Sequence, residues 1–374
     1  MNSKINIFRS TPQRAGLSRR QFLWLTGVTL LAGCQTTQPA PPVPTATPLP
    51  ALQRITLENA GKIRQVNKLD LNRGAVRGVA WNPVWGTGIP GSRLLAVAPY
   101  NQVQVWEIAT MKRLATLQGH QYQINGMAWS PDGRLLASVS DDGTLRLWDT
   151  TIWKSHAVLQ SHAADVVLSV AWSPDSRRLV AGNQDGTVQV WDAHTLQSLG
   201  RWARPSIVKA VGSQLAVWGV SWSLDGQRIA SNRYDVHVFL WDALTGRLVS
   251  TLFPSSKPNG VAWSPAGQVL ATTSDDGTVQ LWDKANTNYR VLQRHSDAGW
   301  AYPVMWSPDG YMLAATRESG LVQVWDSETS EELAVLQGHT EAVWSAAWSS
   351  DGLLIATGSD DETVRLWGFS DHNT

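Results

Sequence analysis

The spacing of tryptophans predicts an all-β chain folded as a seven-bladed β-propeller, each blade a four-stranded antiparallel sheet. Three observations carry the prediction. Seven tryptophans (Trp81, Trp129, Trp172, Trp222, Trp263, Trp306 and Trp348) sit in runs like Val-Ala-Trp-Ser-Pro-Asp-Gly. Seven more (Trp106, Trp148, Trp191, Trp241, Trp282, Trp325 and Trp367) follow, 25 residues later in the first repeat and 19 in the other six. The second set recurs at 42, 43, 50, 41, 43 and 42 residues. Fourteen of the 21 tryptophans are accounted for by this register.

The second repeat shows the parts in order. Ile124–Ser130 reads as a strand with one apolar face, and Pro131-Asp132-Gly133 turns the chain. Leu135–Val139 is a second strand, and Asp141-Asp142-Gly143-Thr144 a tight hairpin turn in which Gly supplies positive φ. Leu145–Trp148 is a third strand, and a weaker fourth lies near His156–Gln160. A four-stranded sheet is too small to stand alone, so blades must stack and bury both faces, with indoles filling the wedge between them. After Trp367 too few residues remain for a fourth strand. Ile63–Leu69 precedes Trp81 at nearly the offset of a fourth strand, and is expected to complete the last blade and remove its open edge.

With these residues in view, the stretch 63–368 resembles a WD40-repeat propeller. Trp-Asp stands at 148–149, 191–192, 241–242, 282–283 and 325–326, with Trp-Glu at 106–107 and Trp-Gly at 367–368. The family's Gly-His dipeptide appears at 119–120 and 338–339, and is degraded at Ser161-His162 and Arg294-His295. The resemblance implies an in-blade series of His, Ser or Thr, Asp and Trp. It is complete in His120, Ser138, Asp142, Trp148 and in His339, Thr357, Asp361, Trp367. Tyr100, Ala181 and Ser319 break it in the first, third and sixth blades, and the fourth and fifth lack the His, so those blades should rest more on packing.

The front of the chain reads differently. Phe22–Gly33 is an apolar run too short to span a bilayer and of the right length for a signal peptide. It is preceded by Ser18-Arg19-Arg20-Gln21-Phe22-Leu23, which resembles a twin-arginine export signal. It ends in Leu31-Ala32-Gly33-Cys34, which resembles a bacterial lipoprotein signal built on the chain's single cysteine. The expected layout is a signal peptide over 1–33, acylated Cys34 and a Pro-rich linker over 34–54, the propeller over 55–368, and a tail over 369–374. Six prolines between 35 and 50 favour extended polyproline II. At about 3.1 Å per residue this linker reaches on the order of 50 Å. Thr56–Gly61 is expected to form a short helix.

Residues 1–33 carry five bases and no acid, so the mature chain has 26 basic and 30 acidic residues, a net charge of −4. This argues against nucleic-acid binding and leaves acyl chains on Cys34 as the membrane attachment. The Asp pairs 141–142, 275–276 and 360–361 all fall in one kind of turn and serve their own blades. Four of eight histidines occupy the Gly-His place and the rest lack metal-ligand spacing, so no metal, cofactor or catalytic group is expected. The run Trp241–Gly246 is similar to repeats of quinone-dependent dehydrogenases, but occurs once.

Aromatics outside the register remain. The residues four before each first-set Trp are Arg77, Asn125, Leu168, Trp218, Asn259, Tyr302 and Trp344. This position should lie at the start of the innermost strand, beside the axis. Arg77, Trp218, Tyr302 and Trp344, with Trp300 and Tyr122 nearby, form a candidate partner-contact patch. Two insertions, around 85–91 and 193–216, are further loops on which specificity could rest. The function expected is a non-enzymatic protein-interaction scaffold, a monomeric propeller exported and held at the bacterial envelope. Alternatives are an envelope enzyme, a cofactor- or glycan-binding propeller, or a ligand-sensing lipoprotein domain. Convergent polar groups in a buried pocket would favour those, and an aromatic patch favours the scaffold.

Overall fold

The computed structural model describes residues 49–84, 93–161, 165–203, 215–283, 289–292 and 301–370. The signal, Cys34 and most of the linker lie outside the described residues, as do the 85–91 loop, residues 204–214 of the 193–216 crossing, His162, Arg294, His295 and Trp300.

Each first-set Trp closes the inner strand of a four-stranded antiparallel sheet, and there are seven such sheets. The inner strands are Val76–Trp81, Ile124–Trp129, Val167–Trp172, Val217–Trp222, Pro258–Trp263, Ala301–Trp306 and Val343–Trp348. They define blades 1 to 7, and each contacts the next in a closed ring that returns from blade 7 to blade 1. Blade 2 continues through Leu135–Ser140 and Thr144–Asp149 to the outer strand Lys154–Gln160. Both faces of the strand are covered: in Thr144–Asp149, Leu145 and Leu147 on one face and Trp148 on the other are buried, while Arg146 is half-buried.

Indoles join the blades. Trp81 donates its ring N–H to the Ala347 carbonyl at 3.0 Å, Trp129 to Ala80 at 2.9 Å, Trp172 to Ala128 at 3.0 Å and Trp306 to Ala262 at 3.1 Å. Each bond crosses to the preceding blade, and the first crosses the seam between blades 7 and 1.

Blade 7 is built from both ends of the propeller. Arg64–Asp70 pairs antiparallel with Thr363–Gly368, which pairs with Leu354–Ser359 and then Val343–Trp348. The residues before that strand form a strap. Gln53 bridges Phe369, the Ile55 N–H reaches the Gly352 carbonyl at 2.9 Å, and Arg54 pairs with Asp309 at 3.3 Å. Ile55 and Ala60 are buried with Met312, Val322, Leu336 and Trp367, between blades 6 and 7. The expected helix over 56–61 is a turn followed by a short 3-10 helix, Ala60–Lys62. Leu49 and Leu52 pack against the seam core, and Phe369 and Ser370 are buried, so the packed unit reaches past 55 and 368 at both ends.

Antiparallel alternation gives the unit two ends. Turns between second and third strands share the upper end with the crossings into each inner strand, whereas the Ser-Pro-Asp-Gly turns and the strap lie at the lower end.

Candidate functional site

Inside blades 2 and 7 the four-residue series is assembled. His120 Nδ1 lies 2.9 Å from Asp142 Oδ2, and its Nε2 lies 2.8 Å from Ser138 Oγ. Trp148 donates its indole N–H to the same Oγ at 2.9 Å. The counterparts are 2.8 Å for His339–Asp361, 2.7 Å for His339–Thr357 and 2.9 Å for Trp367–Thr357. Burial of Asp142 opposes its ionisation, but hydrogen bonds from His120, Thr144 and the Gln121 N–H outweigh this and hold the carboxyl below its usual range. Asp361 is likewise held low against its burial by Thr363 and His339. Burial also lowers His339, with Asp361 opposing. These groups are enclosed and mutually satisfied, and they brace their blades.

The structure also explains the Gly before each of these histidines. A Cβ on Gly119 would stand 2.4 Å from Arg146 Nη1, and one on Gly338 would stand 2.7 Å from Arg365 Nη1. A side chain at either position would require the guanidinium above it to move. Blade 3, with Gln189 at the place of Arg146, carries Ser161 instead of Gly.

Other blades keep part of the series. Trp241 still donates to Ser231 at 2.8 Å and Trp282 to Thr272 at 3.0 Å, although blades 4 and 5 lack the His. Blades 4 and 6 replace the Ser that ends the second strand of blade 2, Ser140, with a buried arginine. Arg233 pairs with Asp235 and lies 4.8 Å from the Phe239 ring centre. Arg317 donates to Gln323 at 2.7 Å and to the Gly277 carbonyl of blade 5 at 2.5 Å. Sequence reasoning passed over these arginines, although alignment on the Trp register exposes them.

The ring positions lie on the inner strands, each of which contacts the inner strands of both neighbouring blades, and share a backbone feature the sequence did not reveal. In every blade the position falls at a register shift of the inner strand, between Val76 and Gly78 in blade 1 and between Val343 and Ser345 in blade 7. The same holds for Asn125, Leu168, Trp218, Asn259 and Tyr302. A bulge re-aims one side chain and leaves the flanking pairs intact, so seven axial side chains vary without disturbing the sheets.

Three of the singled-out residues meet. Tyr302 stacks on Trp344 with ring centres 4.4 Å apart at 30°. The Arg77 guanidinium carbon lies 5.2 Å from the Trp344 ring centre, so the stack runs across blades 6, 7 and 1. The exposed aromatic patch expected from the sequence takes another form: Tyr302 is only 2% exposed, and Arg77, Trp218 and Trp344 are half-buried. Trp218 sits on the opposite side of the ring, in blade 4. Tyr122 is 57% exposed at the upper end. Among the described residues no group of three or more His, Cys, Asp or Glu could hold a metal ion, and no helix is long and apolar enough to cross a membrane.

Comparison with known proteins fits this geometry. Residues 111–149 and 153–192 match the model of the WD domain, G-beta repeat, and 218–371 match the model described as WDR19 first beta-propeller. Among curated proteins, apoptotic protease-activating factor 1 of Danio rerio is 42% identical over 82 residues, 21% of this chain and 6% of that protein. Nuclear distribution protein PAC1 of Arthroderma otae is 35% identical over 80 residues, 21% of this chain and 17% of its own length. Protein CIA1 of Arabidopsis thaliana is 34% identical over 98 residues, 25% and 28% respectively. The chain thus spans less than a third of each of these relatives.

Proposed function

We propose that this chain of WD40 repeats, folded as a seven-bladed β-propeller, works as a protein-interaction scaffold held at the bacterial envelope by acyl chains on Cys34. WD40 propellers serve in general as non-enzymatic binding platforms, and fold alone does not specify the partner. The observation that carries the scaffold reading is the bulged axial ring. It presents seven variable side chains on a frame whose hydrogen-bond series are sealed inside the blades. The attachment rests on sequence: the arginine pair, the apolar run and Leu-Ala-Gly-Cys34 follow one another in the order an exported lipoprotein needs. Export by the twin-arginine route and a monomeric propeller belong to the same reading.

Two measurements test it. Mass analysis of the mature amino terminus should find acyl chains on Cys34, and Cys34→Ser should leave the membrane fraction or keep its signal. Unmodified, wholly soluble wild-type protein would remove the anchor. Replacing Arg19 and Arg20 by Lys should block export, and undiminished export would assign the general secretory route. For the scaffold, Trp218→Ala should weaken partner capture from detergent-solubilised envelopes by about tenfold, or about 1.4 kcal/mol. Normal capture by a stably folded variant would move the contact elsewhere.

A further inference from the structure

Three lower-end turns of blades 2 and 4 hold large apolar side chains in solvent. Ile152, before the outer strand of blade 2, is 59% exposed, and Leu224 and Leu244, in the two lower turns of blade 4, are 57% and 77% exposed. Leu224 stands where sister blades have Pro83, Pro131, Pro174, Pro265 and Pro308, and Leu244 where blades 3 and 6 have His194 and Glu328. Neither leucine closes its turn. Asp225 does so by accepting the Gln227 N–H, and Asp242 by accepting the Thr245 N–H.

Hydrogen bonds make these turns one surface. The Asp132 N–H of blade 2 reaches Ser176 Oγ of blade 3 at 3.1 Å, and Arg178 of blade 3 donates to the Ala243 carbonyl of blade 4 at 3.3 Å. The Ala243 N–H reaches the Gln227 carbonyl at 2.9 Å, which sets the turns of Leu244 and Leu224 side by side. Exposed cations accompany the apolar tips. Arg134, Lys154 and Arg247 form no ion pair or side-chain hydrogen bond among the described residues. The aspartates of the same turns, Asp132, Asp149, Asp175, Asp192, Asp225 and Asp242, instead accept N–H groups of their own turns.

The chain enters the propeller at this end. Gln53 bridges Phe369, and the Ile55 N–H reaches Gly352 in the lower turn of blade 7. Leu49 follows Cys34 by 15 residues. A tether raises the effective concentration of whatever it is fixed to, so a modest apolar surface beside the point of entry suffices for contact. Tyr122 and Phe253 are as exposed at the upper end, but the chain does not enter there.

We propose that the lower end of blades 2 to 4 rests on a phospholipid surface. Ile152, Leu224 and Leu244 enter the headgroup layer, and Arg134, Lys154 and Arg247 pair with lipid phosphates. Leucine and isoleucine gain by leaving water at the headgroup and acyl boundary, and Lys and Arg lay their stems along it with their charges at the phosphates. This rests on the reading of Cys34 as the acylated anchor, and adds which face of the propeller the anchor brings to the bilayer.

The test uses the full chain extracted from its own envelopes and reconstituted in vesicles of phosphatidylethanolamine and phosphatidylglycerol. A dansyl amino acid replaces Leu244 or, separately, Tyr122, and lipid brominated on its acyl chains is the quencher. The reporter at 244 should be quenched at least about threefold more than that at 122, as for a side chain at the headgroup and acyl boundary. With the reporter at 244, combining Ile152→Ser, Leu224→Ser and Arg247→Gln should reduce its quenching by about half or more, with Tm and flotation with the vesicles unchanged. Equal quenching at 244 and 122, none at 244, or undiminished quenching in the triple variant would overturn the docking, while flotation would leave the anchor standing. A chain that does not float would remove the anchor. The two reporters are then read on the dissolved chain in excess vesicles, where quenching selective for 244 supports the docking and its absence overturns it.

Discussion

Blades 2 and 7 carry the same internal series at nearly the same distances, yet they are held differently. Blade 2 is one continuous run of chain from Ile124 to Gln160, with Gly143 in its turn and Asn125 at the axis. Blade 7 takes its outer strand from Arg64–Asp70, is strapped by the residues before it, and has Glu362 in its turn and Trp344 at the axis. The series is thus a local brace that survives a break in the chain, whereas closure is a separate, long-range device. Blade 7 departs from blade 2 at the turn, where Glu362 stands for Gly143, and at the inner strand, where Trp344 stands for Asn125, while the brace itself is unchanged.

Removing the device unique to blade 7 should have the largest effect. Deleting 51–70 strips the outer strand and the strap, exposing an edge and emptying the core around Ile55, and the chain should aggregate or melt far lower. Deleting 35–48, whose prolines favour an extended linker, should leave Tm nearly unchanged. Similar losses from both deletions, read by thermal melting, would dissolve the distinction between brace and closure.

The brace itself should matter alike in the two blades. Trp148→Ala and Trp367→Ala each empty a site buried to 2% exposure and should cost about 3–5 kcal/mol by denaturant unfolding. A markedly smaller cost in blade 7 would mean that closure, rather than the series, carries that blade.

Acid should weaken blade 7 in two stages. His339 titrates lower in the fold than unfolded, so its neutral form is favoured, and stability falls as pH drops below the ordinary histidine range. Asp361 is also lowered, so its contribution is present above the unfolded carboxyl value and is lost as pH falls through the folded one. Tm measured against pH should fall in both ranges, and His339→Gln should flatten the upper of them. A variant that follows the wild-type profile unchanged would remove His339 from this account.

The smallest effect is the most diagnostic of the difference between the turns. Glu362→Gly should raise stability by about 1 kcal/mol by relieving a left-handed side-chain residue, and Gly143→Ala should lower it by a similar amount. Destabilisation by Glu362→Gly would show that the carboxylate serves the fold.

What the sequence made legible follows from what repeats. The tryptophan register marks the blades because each indole fills the same wedge, and the four-residue series could be placed because each member recurs at fixed offsets. The ring position could be counted, but its bulge could not be seen, since Arg, Asn, Leu, Trp and Tyr all occupy it and none signals a register shift. The pairing of Gly119 with Arg146 joins a residue of the crossing into blade 2 to one of its third strand through a close approach that becomes visible once the guanidinium is placed. The burial of Tyr302 was missed because its stacking partner, Trp344, lies on the next blade.

The central claim is that partners meet this propeller at its upper, axial end. A photo-crosslinking amino acid placed at Glu341 and, separately, at Thr329 on the lower end, in full chain expressed in its own cells, tests it directly. The account predicts a discrete protein adduct from position 341 and none from 329. Adducts from 329 alone, or from neither position, would contradict it.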